Sequence, residues 1–302
     1  MSIPSNKMCA EQSLAPYETC CLAEYFLPNI ESKEEFLDIL ELLYRIAKHS
    51  LTLPCHNKET ERIVHKNMRM GIGPTGILQA TPEQRSWLSD GYEYLRDFDN
   101  RYSELNDFNP SIKLTTVKPS GTLSLLPGVT PGIHPGYARF MYRRIRIASS
   151  HPLVETCKAA GYPVEYAMNF DRSQDYNTVV VTFPFRYPDN AILAKDLTAI
   201  DQLKNIKLLQ SEWSDNSVSC TIYYKQEELP EIKKYLAENY KDCHKSLSFL
   251  LHQDHGFLQA PYEEITEEQY NELAAKTKII NSISFAEFEA GDDCATGACP
   301  IR

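Results

Sequence analysis

The 302-residue chain contains no apolar run approaching the roughly 20 residues that a membrane-spanning helix needs. Met1–Lys7 lacks the apolar core of a signal peptide, so the expectation is a cytoplasmic protein without a membrane partner. None of the nine cysteines stands in C-x-x-C spacing, which argues against a structural zinc site. Their odd number and irregular spacing argue equally against a secreted disulfide framework. Positive charge is scarce: 31 Lys and Arg face 41 Asp and Glu, and a net charge of −10 disfavours a binder of nucleic acid polymers. No internal repeat or low-complexity tract is present, which sets solenoids aside.

What is present is the composition of an ordinary globular protein, 42% hydrophobic and 24% charged, long enough for one large domain or two medium ones. Residues 1–30 read as a loop leading into short strands. Ser32-Lys33-Glu34-Glu35 forms a capping box, and Phe36, Ile39, Leu40, Leu43 and Ile46 give helical spacing after it. Arg62–His65 looks like a shorter helix. Gly71–Gly76 formally matches G-x-G-x-x-G, but Pro74 and the charged residues before it make a glycine-rich turn the better reading. Thr81-Pro82-Glu83-Gln84 opens a helix to about Tyr102.

Strands are expected over Leu114–Val117, Arg139–Ile147, Asn177–Phe183, Ser217–Tyr224 and Ser246–Leu251. Helices are expected over His151–Ala160, 196–213, 228–240 and 266–280. This alternation favours an α/β fold with several parallel strands in the second half. Residues 1–286 are read as one folded part and 287–302 as a flexible tail. Cys55, Cys157, Cys220 and Cys243 are expected to be buried packing residues, and the arginines at 139, 143, 144 and 146 to coat a strand.

Chemistry concentrates at the two ends. Cys9 and Glu11 are two residues apart, so in an extended segment a thiol and a base share one face. Cys20 follows eleven residues after Cys9. Cys294 and Cys299, separated by small residues, suit a dithiol that shuttles electrons by thiol–disulfide exchange. Pro119-Ser120-Gly121-Thr122-Leu123-Ser124 follows a strand and offers backbone N–H groups and three hydroxyls, an environment suited to phosphate oxygens or to a capped turn alone.

Together these segments resemble the ribonucleotide reductases, most closely the adenosylcobalamin-dependent (class II) ribonucleoside-triphosphate reductases. The likeness rests on Cys9-Ala10-Glu11 with Cys20, on the Val117–Ile147 run with its Lys118–Leu126 and Gly128–Pro135 segments, and on the ending from Asp293-Cys294 to Cys299-Pro300-Ile301-Arg302. It implies the second half of a ten-stranded α/β barrel with a finger loop near residues 6–22 and a redox-active tail. It implies further that Cys9 carries a thiyl radical and that Glu11 is the base at the ribose 3′-hydroxyl. Cys20 would be one half of the reducing pair, and Cys294 and Cys299 would be the tail pair served by thioredoxin. Pro119–Ser124 would hold the phosphates of a ribonucleoside triphosphate.

Lys7 and Cys21 stand where the family usually has asparagine. Family members also carry, before the radical cysteine, a long segment with the other reducing cysteine and half of the barrel. The expectation is therefore a split enzyme that works only with a complementary N-terminal polypeptide. A fragment of a diiron-partnered diphosphate reductase, with Tyr223-Tyr224 as a relay, is the first rival. A non-catalytic remnant is the second, and a glycyl-radical enzyme is disfavoured by the two-cysteine ending.

Overall fold

The computed structural model describes residues 5–6, 11–251 and 258–281; Cys9, Cys294 and Cys299 lie outside them. In chain order the elements are β1 (Ser5–Asn6), β2 (Ser13–Leu14), β3 (Leu22–Phe26), α1 (Lys33–Ser50), α2 (Lys58–Asn67), β4 (Gly71–Thr75) and α3 (Pro82–Leu105). Then come β5 (Phe140–Ala148), α4 (Leu153–Ala159), β6 (Val164–Met168), β7 (Gln174–Arg186) and α5 (Ala199–Glu212). The last are β8 (Thr221–Tyr224), α6 (Leu229–Cys243), β9 (Ser248–Leu251), β10 (Tyr262–Glu264) and α7 (Glu267–Lys276). Residues 1–136 with 190–253 make one compact unit, and 137–189 with 254–302 a second, a division that the sequence reading of 1–286 did not draw.

The first unit is α/β. Two parallel pairs, β3–β4 and β8–β9, are linked through Thr115–Val117 by the bridges Ile72↔Thr115 and Val117↔Val218. Five segments therefore run parallel side by side, and helices occupy the crossovers as parallel strands require. One face of this row packs on the helices: Tyr25, Ile72, Val117 and Ile222 join Phe36, Leu40, Leu88, Leu95, Leu203 and Trp213 in one buried cluster.

Capping sets the helix starts. Ser32 Oγ accepts from the Glu35 N–H at 3.2 Å, but the Glu35 carboxylate turns back to the N–H of Glu31 rather than to Ser32, so the expected box is only half made. Thr81 and Gln84 form both bonds of theirs. Ile46 is 59% exposed, and the buried stripe of α1 is Phe36, Leu40, Tyr44, Ala47 and Lys48.

A buried ion pair joins α1 to α3. Lys48 Nζ donates to Asp99 Oδ1 (2.9 Å), the Asn109 carbonyl (2.8 Å) and Ser111 Oγ (3.0 Å). Asp99 also accepts from Tyr44 Oη and from the Ser111 N–H. Burial alone would raise the Asp99 pKa, but Lys48 and these donors outweigh it and hold the carboxyl below its ordinary value.

Three expectations are corrected. Gly71–Gly76 is not a turn: Gly71–Thr75 is a fully buried strand, and Gly76 alone, at φ +80°, ends it. The glycines are there for close approach, since a Cβ on Gly73 would lie 2.5 Å from the Thr116 carbonyl oxygen. The Asn177–Phe183 strand is not parallel to its neighbours. It belongs to β7 in the antiparallel sheet β10–β5–β7–β6 of the second unit, because the link from β6 is a hairpin too short for a crossover. Of the four packing cysteines, Cys157 and Cys220 are buried, whereas Cys55 and Cys243 are half-buried.

The arginine strand stands as expected: on β5, Arg143 lies 4.5 Å over the Tyr262 ring and Arg144 pairs with Glu263 at 2.6 Å.

Candidate active site

The parallel row has a second, inner face, turned away from the helices. Strand alternation places Leu22 and Glu24 of β3 there, because Ala23 and Tyr25 pack with the helical core. Gly71 sits opposite Leu22 in register, and a Cβ on it would meet Gln12 Nε2, the Leu22 side chain and the Thr116 methyl group. These contacts show which chain segment covers the inner face: residues 11–12.

Two hydrogen bonds hold that segment. The Glu11 carbonyl accepts from the Ser217 N–H at 2.8 Å, and Gln12 Nε2 donates to the Cys21 carbonyl at 3.3 Å. The first ties the segment to the β8 side of the row and the second to the start of β3. Behind it, β1 and β2 pair antiparallel, Ser5 with Leu14 and Asn6 with Ser13.

Residues 15–18 form a turn anchored by Glu18. Its carboxylate accepts from the Ala15 N–H (2.7 Å), Asn67 Nδ2 (3.0 Å) and Arg69 Nε (2.9 Å), locking the loop to the end of α2. The sequence reading passed over Gln12 and Glu18, and their partners are too distant in sequence for spacing to reveal.

Glu11 is 3% exposed, and its Oε2 has no hydrogen-bond partner among the described residues. Buried polar atoms in folded proteins are nearly always paired, so an unpaired one calls for an explanation, and a bound ligand is one such explanation. Among the described residues Gln12 Oε1, both Glu24 carboxylate oxygens, Ser120 Oγ and Thr130 Oγ1 likewise accept or donate no hydrogen bond. The contacts above and below connect all of them to the inner face or to loops at the C-terminal ends of β3, β4 and the 114–117 segment. Open α/β sheets bind ligands at that end of their strands.

Cys20 lies just before β3 and is partly exposed; the Gln12–Cys21 bond brings its segment alongside Glu11. The Cys21 thiol turns the other way, toward the Ala47 carbonyl and Ser50 Oγ at the end of α1, and burial raises its pKa against the lowering effect of Ser50. In the 119–124 loop, Gly121, Thr122 and Leu123 are exposed, and Ser120 and Ser124 are buried. Ser124 Oγ donates to the Ser120 carbonyl, so its proton is committed within the loop. Ser120 is held at φ +49°.

His134 supports the site from behind. Its Nε2 accepts from the Thr221 N–H at 2.9 Å, so Nδ1 carries the proton and donates to the Pro131 carbonyl at 3.2 Å. Burial pushes its pKa down against the raising effect of the Pro131 bond. Tyr224 packs against the core with its ring 6.2 Å from Phe249, the environment of a packing residue.

Fold and site together place this chain with the ribonucleotide reductases. A crystal structure of a B12-dependent (class II) ribonucleotide reductase superposes with a TM-score of 0.80 at 28% identity, covering 96% of this chain and 44% of that one. The alpha subunit of a class Id ribonucleotide reductase from Actinobacillus ureae shares the fold alone, with a TM-score of 0.51 at 13% identity.

More narrowly, the chain is homologous over nearly its whole length to the adenosylcobalamin-dependent ribonucleoside-triphosphate reductases. It is 37% identical to the Euglena gracilis enzyme of that name over 92% of this chain, and 33% identical to that of Lactobacillus acidophilus over 99%. A probable enzyme of the same kind from Dictyostelium discoideum is 34% identical over 97%. The chain spans only 38–45% of the length of these relatives. No protein-family model matches it. No helix among the described residues is long and apolar enough to cross a membrane.

Proposed function

We propose that this chain forms the C-terminal part of the catalytic domain of an adenosylcobalamin-dependent ribonucleoside-triphosphate reductase and acts in the cytoplasm together with the remainder of that domain. The observation that carries the reading is the buried Glu11 carboxylate, held on the inner face of five parallel segments with Oε2 free to take a proton. The names of the relatives supply the reaction class and the cofactor. Among the described residues β3 pairs only with β4, and β9 only with β8, so both edges of the row are open to further strands. In this reading the N-terminal part of the catalytic domain supplies those strands and completes a ten-stranded barrel.

In the same reading Cys9 carries the thiyl radical and takes the 3′ hydrogen of the ribose. Glu11 takes the 3′-hydroxyl proton through Oε2 as the 2′-hydroxyl, protonated by a thiol of the reducing pair, leaves as water. Its burial keeps bulk water from competing for that proton. Cys20 and a cysteine of the N-terminal part of the catalytic domain supply two electrons and become a disulfide. Cys294 and Cys299 reduce that disulfide by exchange and are reduced in turn by thioredoxin. The 119–124 loop holds the triphosphate, with exposed backbone at Thr122 and Leu123 and the unpaired Ser120 hydroxyl facing it.

Adenosylcobalamin is the radical source in this account. The cobalt of a corrinoid is held by the nitrogens of its own ring, so the group needs no cluster of protein ligands. No cobalt ligand is assigned to this chain, and no step above is routed through the corrinoid.

The test is Glu11→Gln in the complete enzyme. It should lower deoxynucleotide formation by about 10²–10⁴-fold, the scale of a lost general base, while leaving urea stability unchanged. Full activity in this variant would remove Glu11 from the chemistry.

A further inference from the structure

One charge pair on the inner face has no part in the chemistry above. Glu24 of β3 and Lys118, at the end of the 114–117 segment, come from opposite sides of β4, yet Lys118 Nζ lies 3.4 Å from Glu24 Oε1. The contact crosses β4 beside Gly73, which is opposite Glu24 in register and places no side chain in the way. The Glu24 side chain is 2% exposed, and neither carboxylate oxygen accepts a hydrogen bond. The Lys118 side chain keeps 23% of its surface exposed.

The contrast with Lys48–Asp99 is informative. That pair is closer, fully buried and satisfied by hydrogen bonds on both sides. An ion pair that merely stabilises a fold needs such compensation to offset its desolvation. Glu24 has a single long contact instead, and its partner is the half-open member, one residue before the 119–124 loop. The backbone of Lys118 is fixed: Gly132, at φ +55°, packs so closely on its carbonyl oxygen that a Cβ there would overlap it. The neighbouring Ser120 hydroxyl is buried and unpaired.

We propose that Lys118 is a phosphate-binding cation of the substrate site and that Glu24 is its positioning residue, holding the ammonium on the inner face until a polyanion shares it. This rests on the reading of residues 119–124 as the phosphate loop. The opposing carboxylate tempers the affinity, so that a triphosphate binds and its product can leave.

The test is calorimetric titration of inorganic tripolyphosphate into the full chain at low and moderate salt. Lys118→Met should weaken binding about tenfold or more, the scale of one hydrogen-bonded charge contact. Lys118→Arg should retain most of it. Glu24→Gln should tighten binding severalfold, because the ammonium loses its competing partner. The double variant Glu24→Gln/Lys118→Met leaves no unpaired buried charge, so it should fold normally and still bind weakly.

Wild-type affinity in the double variant, or no binding by the wild-type chain at low salt, would overturn the proposal. Unchanged affinity in Glu24→Gln would overturn the role of Glu24. The probe is not turned over, so this outcome is separable from the reductase reading. Tripolyphosphate binding that depends on Lys118 in a protein forming no deoxynucleotide would leave the phosphate site and remove the reaction. An unchanged KM in an active double variant would do the reverse.

Discussion

Replacing Lys48 with methionine tests how the site is held. Met nearly matches the volume of Lys but cannot donate, so Asp99, whose side chain is 1% exposed, loses its only countercharge. The Asn109 carbonyl and Ser111 Oγ lose a donor at the same time. Breaking a buried pair from one side costs about 3–5 kcal/mol, chiefly because the remaining charge is stranded. Lys48→Met/Asp99→Asn should recover part of that loss, since no charge remains. The loss from the single variant should also shrink toward acid pH, where the stranded Asp99 can take up a proton. Urea unfolding followed by tryptophan fluorescence is the assay. Both tryptophans, Trp87 and Trp213, are buried in the first unit with the network, so the signal reports that unit. A loss under 1 kcal/mol in Lys48→Met, or a double variant less stable than the single, would refute the argument.

Other consequences can be checked in the same way. Gly132→Ala should destabilise the first unit by at least about 1–2 kcal/mol, the cost of a left-handed non-glycine residue, and raise KM for the triphosphate by displacing Lys118; unchanged stability and KM would contradict it. Glu18→Gln should cost about 2–3 kcal/mol, below the fully buried case because Arg69 keeps 12% exposure, and should speed amide exchange in residues 11–21; wild-type exchange there would count against the anchor. His134 is held below its ordinary pKa, so the unfolded chain binds its proton first as pH falls. Stability should be full above about pH 6.5 and decline below it, by up to about 1.4 kcal/mol per pH unit. Urea midpoints from pH 7.5 to 5 should show a shallower decline in His134→Asn, and an identical slope would be inconsistent with this assignment.

Local signals made much of this legible in the sequence. Thr81-Pro82-Glu83-Gln84 and Thr266-Glu267-Glu268-Gln269 form the caps that their spacing implies, because a capping box needs only residues three apart. Gly71–Gly76 was misleading for the opposite reason. Glycine in a strand looks like a turn until the neighbour that requires its missing Cβ is known, and for Gly73 that neighbour, Thr116, is far along the chain. Sequence distance likewise hid Glu18, whose partners include Asn67 and Arg69, and Glu24, whose partner is Lys118. For Glu24 a signal did exist: a charged residue alternating with Leu22 inside an apolar strand. For the site itself, the Cys9-x-Glu11 and Cys20 spacing located the segment, but only the fold shows that residues 11–12 lie across the inner face of the parallel row.

The most direct measurement is anaerobic deoxynucleotide formation from a ribonucleoside triphosphate with adenosylcobalamin and thioredoxin, using this chain alone and together with the N-terminal part of the catalytic domain. The account predicts activity only when both parts are present and its loss with Cys9→Ser. A folded complex that forms no deoxynucleotide, or one whose activity survives Cys9→Ser, would contradict it.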